Sequence, residues 1–565
     1  MTRLRLINSF NVRYLRGDLL GGVTAAIVAL PLALAFGVSA SPQAGAIAGL
    51  YGAIFIGLFA ALFGGTPSQI SGPTGPMTVV MATVFTGMIA KNPDNGVEIA
   101  FTIVMLGGLF QILFGVMRLG KYITFIPYTV VSGFMSGIGF IILFLQIGPL
   151  LGHPSSAKVV DSFSNLPKFL SNPHPVATGL GLLTLLIVFL SPPKLNRIIP
   201  SPLIALVVST VISVTVFPDS DITRIGTIPT GLPKLHLPVF DLNQIKDMVI
   251  YGLMLATLGA IDSLLTSLVA DNITRTQHDS DKELIGQGIG NLCAGLFGGL
   301  PGAGATMRTV VNVRAGGKTA LSGVIHAVVL LVIVLGAGRL TENIPNAVLA
   351  GILIKVGVDI IDWGFLKRAH QISLRAAGLM YMVLLLTVFV DLIIAVVVGV
   401  FLANLFTLKR LSDLQAEQVQ AITTPNGQLR LKPEEKSILQ QAEGRILLFH
   451  LGGPMSFGAA KTISRRLSIV EDYDVLILDL SEVPHVGVTA SLAIENMVKE
   501  ACEKRRAVFL VGATGKVKDR LRRLKLLDRL LPKNQLQSRQ EALAAALLIV
   551  KERQGVSSSK GVNLD

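Results

Sequence analysis

Apolar segments long enough to enter or cross a bilayer recur from about residue 19 to residue 407, and nothing else in the sequence limits its fold so tightly. They lie near 19–36, 43–63, 76–90, 98–117, 125–150, 176–191, 200–217, 247–269, 284–298, 305–313, 320–338, 344–361, 376–391 and 392–407. At lipid depth each backbone group needs a partner within the chain, so these segments are expected to be helices, giving a polytopic α-helical membrane protein of about 14 spans. Several are too short for the ~20 residues of a complete crossing.

The bulk numbers agree. Of 565 residues, 51% are hydrophobic and only 15% charged, and the mean hydropathy of +0.64 lies outside the range of a soluble domain. A net charge of +14 raises the question of nucleic acid, but the basic residues before about residue 410 sit in short loops and form no continuous face. Membrane orientation accounts for them instead. With Arg3, Arg5, Arg13 and Arg16 on a retained cytoplasmic N-terminus, every second loop is basic: Arg118 and Lys121, Lys194 and Arg197, Arg275 and Lys282, Arg314 and Lys318, then Lys367, Arg368 and Arg375. Lys409 and Arg410 place the tail on the same side, and residues 151–175 and 218–246 read as external loops. The two cysteines, Cys293 and Cys502, are read as packing residues, with no disulfide framework or zinc spacing.

The apolar region repeats itself. IPYTVVSGFMSGIG from Ile126 matches IPNAVLAGILIKVG from Ile344, and GGTPSQISGPTGPMTVV from Gly64 matches GGLPGAGATMRTVV from Gly298 when three residues are gapped. Two matches in the same order imply seven spans used twice, and an odd number per repeat inverts the second copy. Each half carries one short segment interrupted by Gly or Pro, after Pro73 and after Gly304. From Leu411 the composition becomes that of a soluble α/β domain, with RILLFHL, DVLILDL and AVFLVGA as buried strands and TASLAIENMVKEACEKR as a helix. The expected organisation is an N-terminus over 1–17, a transport region over 18–410, a linker over 411–439, a folded domain over 440–550 and a flexible tail over 551–565.

The interrupted segments carry the chemistry. In SGPTGPMTVV, Ser71 or Thr74 can cap a helix beginning at Gly75 with Pro76 in its first turn, and in PGAGATMRTVV a second helix starts near Ala305 and Thr306. Two helix starts facing each other near mid-bilayer make an anion site, unless they are kinks that serve packing alone. Arg308 either adds positive charge behind that site or turns to the cytoplasm with Arg314 and Lys318. Asp262, in the run from Met248 to Val269, has Thr266 one helical turn later on the same face. With carbonyls around Gly304 and Ala305 this oxygen pair suits a small hard cation such as Na+. The alternatives are a protonated Asp262, neutral or carrying a coupled proton, and an aspartate that caps a broken helix. NVRAGGKT, from Asn312, lacks the first glycine and the preceding strand of a phosphate-binding loop and is read as a cytoplasmic loop. No histidine spacing or nucleophile arrangement points to an enzyme.

GLYGAIFIGLFAALFGGTPSQISGPTG at 49–75, the break around Gly304 to Arg308 and the soluble domain, in this order, resemble the sulfate permease (SulP) family of anion transporters over nearly the whole length. TGPMTVVMA, from Thr74, and Asp262 make the chain most similar to the sodium-dependent bicarbonate-transporting members. The resemblance implies a 7+7 inverted repeat, a core domain that moves against a gate domain, and a cytoplasmic STAS domain supporting a homodimer in the plasma membrane. It also implies a sodium site of Asp262, Thr266, Gly304, Ala305 and Thr306. The anion would be held by Thr74 and by the helix starts at Gly75 and at Ala305–Thr306, with Arg308 behind. Two departures stand out. Ser68-Gln69 stands where family members often have Ser followed by a basic residue and His, bearing on anion choice, and Gly487 and Val488 replace the usual Asp-Ser of STAS domains, leaving Thr489 near the phosphoacceptor position. Proton-coupled sulfate uptake, a passive anion channel and a membrane-anchored signalling platform remain the rival readings.

Overall fold

The computed structural model describes the chain except for residues 1–6, 9–11, 124–126, 157, 193–194, 196–198, 227–232, 391, 426–428, 468–469, 471 and 561–565. Arg3, Arg5, Ile126, Lys194 and Arg197 therefore lie outside the described residues. The chain forms two compact units, residues 1–401 and 402–565.

The first unit is helical. Its elements are α1 (Leu15–Ala40), α2 (Gly45–Phe63), β1 (Ser71–Gly72), α3 (Gly75–Lys91), α4 (Gly96–Val116), the single turn α5 (Gly120–Ile123), α6 (Tyr128–Leu150), α7 (Val159–Ser171), α8 (Pro175–Leu190) and α9 (Ser201–Thr215). After them come α10 (Ile245–Thr274), α11 (Ser280–Leu296), β2 (Ala303–Gly304), α12 (Thr306–Arg314), α13 (Ala320–Thr341), α14 (Asn346–Ile360), α15 (Trp363–Ile372), α16 (Leu374–Phe389) and α17 (Leu392–Glu417), which ends in the second unit. Each apolar segment of the sequence falls on one of these helices.

Among the described residues, six helices are long and apolar enough to cross a membrane: α1, α2, α4, α6, α10 and the apolar part of α17. The bent pair α7 and α8, turned by 112°, adds a seventh if it is one span. Shorter apolar helices include α3, α9 and α16.

Two expected loops contain helices. Residues 151–175 hold α7, which buries Val159 and Phe169 on one side, and the basic stretch 362–375 holds α15, whose Phe365, Leu366 and Ala369 pack with Ala377 and Met380 of α16. In both, apolar residues three or four apart sit among charges, a pattern that a search for continuous apolar runs passes over. The NVRAGGKT stretch is likewise only partly loop, since Asn312–Arg314 close α12 and Thr319 caps α13.

Helices approach closely where side chains vanish. A Cβ on Gly108 of α4 would lie 2.4 Å from the Leu292 nitrogen of α11, and one on Gly288 would lie 2.6 Å from the Gly108 carbonyl oxygen. α4 packs on α10 and α11, while α13 packs on α1 and α2; α8 packs on α14, while α16 packs on α6.

The second unit is a five-stranded sheet in the order β3 (Val419–Ile422), β4 (Ile446–Gly452), β5 (Val475–Glu482), β6 (Ala507–Val511), β7 (Gln535–Leu536). Only the β3–β4 pair is antiparallel. β4 is buried along its whole length, which explains its unbroken apolar run, RILLFHL. α19 (Phe457–Leu467) and α20 (Val488–Glu503) contribute to one apolar core, while α18 (Pro433–Gln441) and α22 (Arg539–Lys560) contribute to another. α21 (Gly515–Arg523) follows β6.

Three expectations change here. The stretch 411–439 is not simply a linker: β3 joins the sheet because Val419 and Ile422 are buried, and α18 packs on α22. Residues 551–560 continue α22, whose Ala542, Leu543, Ala546 and Val550 anchor it and allow the helix to propagate. Cys502 is exposed on α20, so only Cys293, half-buried, fits the packing role.

Behind β4 and β5 lies a buried polar cluster. His450 Nδ1 is 2.9 Å from Asp479 Oδ2, Ser481 donates to Asp479 Oδ1, Arg539 Nη1 is 3.4 Å from Asp479 Oδ2, and Arg539 Nε donates to Glu435 at 3.1 Å. Burial by itself raises the Asp479 carboxyl, but the hydrogen bonds from His450 and Ser481 outweigh it and hold the group below its ordinary value.

Candidate ion site between two interrupted helices

The two interruptions meet. β1 and β2 pair antiparallel, Ser71 opposite Gly304 and Gly72 opposite Ala303. A Cβ on Gly302 would fall 2.1 Å from the Gly72 carbonyl oxygen, so only glycine allows the strands to cross. Side bonds fix the crossing: Ala305 N–H donates to the Ile70 carbonyl at 2.8 Å, and Ile70 N–H donates to Thr309 Oγ1 at 3.0 Å.

A buried helix start leaves each strand. Thr74 is the N-cap of α3 with Pro76 in its first turn, and Ala305 is the N-cap of α12. Neither cap side chain closes its helix. Ser71, an expected cap, instead accepts from Gln287 Nε2 at 2.5 Å, and Thr74 faces Asp262. Thr74 Oγ1 and Asp262 Oδ2 are buried atoms that make no hydrogen bond of normal geometry among the described residues. The first-turn amides of both helices are thus left for something else.

Three of the expected cation ligands, Thr266, Gly304 and Thr306, come together. Thr266 Oγ1 donates to the Gly304 carbonyl at 2.9 Å and stands 2.7 Å from Thr306 Oγ1. Since its one proton goes to Gly304, Thr306 donates to it. Gly304 N–H is held by Ser263 Oγ at 3.0 Å. Thr266 is fully buried, Asp262 half-buried and Thr306 exposed, so the cluster is reachable from one side. Ala305 enters through its backbone at the α12 start.

Of the two readings of Arg308, its position favours the one behind the helix starts. It is 3% exposed, Nη2 donates to the Pro73 carbonyl at 2.6 Å, and a Cβ on Gly72 would lie 2.7 Å from Nη1. Its charge is near enough to act on Asp262. Gly75 faces other helices: its Cβ would lie 2.6 Å from Ile360 Cδ1 of α14 and 3.1 Å from Ile142 Cδ1 of α6. Asp262 also borders a cavity of about 210 Å³ whose walls, from α6, α10 and α17, include Val130, Phe134, Ile250, Thr257 and Val397.

The sulfate permease family profile matches residues 15–384, and a STAS domain profile matches residues 437–541. The chain belongs to the sulfate permease family. Within the family it is 54% identical over 550 residues to the bicarbonate transporter BicA of Picosynechococcus sp., covering 96% of this chain and 97% of that one. It is 30% identical to the putative sulfate transporter YvdB of Bacillus subtilis, covering 92% and 96%. The solved transmembrane domain of a cyanobacterium BicA superposes with a TM-score of 0.66 at 58% identity, covering 69% of this chain and all of that one. Murine Slc26a9, an anion transporter solved in the inward-facing state, shares the fold over 95% of this chain and 92% of its own, with a TM-score of 0.81 at 20% identity. These relatives are named as transporters, not enzymes.

Sequence reasoning missed a buried polar layer beneath the crossing. Glu283, 1% exposed, accepts from Gln69 Nε2 at 2.7 Å, Gln287 Nε2 at 2.8 Å and Thr66 N–H at 2.8 Å. Ser267 donates to Gln69 Oε1 at 3.0 Å, and Asn291 bridges Gln111 and Gly302. The signal was present: Glu283, Gln287 and Asn291 recur every four residues and share one face of α11. Gln69, part of the Ser68-Gln69 departure, has its amide against Glu283 and Ser267. His326 of α13 is also fully buried beside Gly57, with both ring nitrogens unpaired.

Proposed function

We propose that the protein is a sodium-dependent bicarbonate symporter, in which Na+ and the anion are both cargo. The observation that carries this is the convergence of the Thr266 hydroxyl, the Gly304 carbonyl and the Thr306 hydroxyl one turn from the unpaired Asp262 oxygen, opposite two uncapped helix starts backed by Arg308. The 54% identity to BicA transporters over 96% of the chain supports bicarbonate as the anion.

Uptake of a monoanion against a negative-inside potential costs about 2.3 kcal/mol per 100 mV, and one Na+ per bicarbonate cancels the charge. An ion placed alone in a dry site loses more hydration than the site returns, so the two cargoes favour each other's binding. Asp262, Thr266 and the carbonyls of Gly304 and Ala305, with Thr306, hold Na+. Thr74, Gly75 and the α12 start hold the anion, with Arg308 behind.

The core of this reading is α1–α4 with α10–α13, and the gate is α6, α8, α9, α14, α16 and α17. The packing of α4 on α10 and α11, mirrored by α13 on α1 and α2, supports seven helices used twice with inverted topology and fourteen spans. Ile142 and Ile360 are the gate residues against the α3 start. Basic loops favour cytoplasmic termini in the plasma membrane. Exposed Phe457, Val488 and Leu492 favour a homodimer through the STAS domain.

Uptake of labelled bicarbonate and sulfate into vesicles, with and without an inward sodium gradient at fixed pH, tests the reading. Sodium-driven accumulation of bicarbonate is expected, and Asp262→Ala abolishes it. Sulfate accumulation driven by protons would support the rival reading, in which Asp262 carries the proton.

A further inference from the structure

We infer that Gln69 and Glu283 are positioning residues that set the affinity for the coupled cation through Gly304. The inference rests on the sodium reading above. Gly304 offers its carbonyl to Thr266, and its Cα lies flat against the Gln69 amide: a Cβ there would be 2.3 Å from Nε2, 2.6 Å from Cδ and 3.0 Å from Oε1. The Gln69 amide is the wall on which this cation ligand rests.

That wall cannot turn freely. Nε2 donates to Glu283 Oε1 at 2.7 Å, and Oε1 lies 3.0 Å from the Ser267 hydroxyl, whose one proton it shares with the Ser263 carbonyl at 2.9 Å. Among the described residues, the hydrogen-bond partners of Glu283 are all donors: the amides of Gln69 and Gln287 on Oε1 and the Thr66 backbone N–H on Oε2. A full acceptor is therefore required at 283, and its orientation fixes that of Gln69. Ser267 lies one turn after Ser263, which holds Gly304 N–H, so α10 and α11 grip the same glycine from two sides. None of the donors around Glu283 belongs to the proposed cargo sites; its carboxylate acts through Gln69.

The test uses the full-length protein, purified and in vesicles. The half-saturating sodium concentration is read from bicarbonate uptake and, independently of transport, from sodium-dependent thermal stabilisation. Wild type is measured first; a protein indifferent to sodium in both readouts overturns the symport reading and this inference with it. Glu283→Gln places a donor against donors, and roughly a tenfold rise in half-saturating sodium is expected in both readouts, as for other residues that orient a metal ligand. The bicarbonate KM at saturating sodium should change far less.

Gln69→Glu, which faces two carboxylates together, should weaken sodium binding as well. Combining it with Glu283→Gln restores one donor facing one acceptor and should bring half-saturating sodium below that of either single variant. Gln69→Asn, one methylene too short for both bonds, guards against a Glu283 variant that does not fold. Sodium affinities within twofold of wild type in folded Glu283→Gln and Gln69→Asn proteins, or strictly additive effects in the double variant, would overturn the inference.

Discussion

Arg308 and Pro73, 235 residues apart, are joined by a 2.6 Å hydrogen bond from the guanidinium to the backbone carbonyl that precedes the α3 start. One buried cation thereby ties the first interruption to the second. Deleting it removes positive charge from behind the helix starts and leaves the Pro73 carbonyl unpaired. Arg308→Ala should raise the bicarbonate KM by roughly 10- to 100-fold, the equivalent of a charge-assisted hydrogen bond of about 1.5–3 kcal/mol. Arg308→Lys keeps the charge without the planar fork and should fall between. Initial uptake rates at saturating sodium decide it; an unchanged KM in Arg308→Ala would place the guanidinium outside anion binding.

Thr266 joins the cluster with Gly304 and Thr306 through its hydroxyl, and the whole residue is buried. Thr266→Val keeps the shape and removes that oxygen. Half-saturating sodium is expected to rise by about tenfold, with Thr266→Ser close to wild type. Sodium titrations of bicarbonate uptake, with sodium-dependent thermal shifts as a second readout, measure it. Equal affinities in the Val and Ser variants would exclude the hydroxyl as a ligand.

What could be read in advance followed from local chemistry. Asp262 is conspicuous because a carboxylate in an apolar run is costly, and Gly302, Gly304 and Pro73 mark interruptions because they disrupt regular helix. The pairing of Ser71 with Gly304 was out of reach, because contact across 233 residues leaves no periodic trace. Glu283 escaped for another reason: it sits in the polar first turns of α11, where a charge looks like an ordinary helix start, and only the spacing to Gln287 and Asn291 betrays the buried face. Arg308 was undecided because nine residues of α12 offer two sides, and the choice is made by Pro73, Gly72 and Asp262, all distant in sequence.

In the second unit, Asp479 is fully buried and its ionised form is held by His450 and Ser481. Its folded carboxyl lies below the ordinary value of about 3.9, so its contribution to stability is complete above that value and is lost as pH falls through the lower folded one. Asp479→Asn weakens the hydrogen bonds from His450 and Ser481 to a charged acceptor and should cost about 1.5–3 kcal/mol, the range for hydrogen bonds to a charged group. Hydrogen exchange in the full-length protein at neutral pH should show β4 and β5 amides losing protection in the variant. On acidification the wild type should lose protection there only below about pH 4, narrowing the difference. Equal protection at neutral pH would show that the cluster adds nothing.

Gly75 places the α3 start against Ile142 of α6 and Ile360 of α14, helices assigned to the gate. If α3 travels with the core, this contact must break and re-form in every cycle. A covalent bridge across it should then arrest transport without touching a cargo ligand's side chain. Gly75→Cys with Ile360→Cys suits the purpose, because the second change removes the Cδ1 atom that a Cβ at 75 would meet at 2.6 Å. Cys293 and Cys502 must first be replaced, since both are free thiols. Cross-linking the pair with a short thiol-specific reagent should reduce sodium-driven bicarbonate uptake to background, and reductant should restore it. Either single cysteine with the same reagent controls for simple blockage of the site. Uptake that continues in the fully cross-linked protein would mean that the ions pass without relocation of α3 relative to α14, which is how a channel, and not a moving core, behaves.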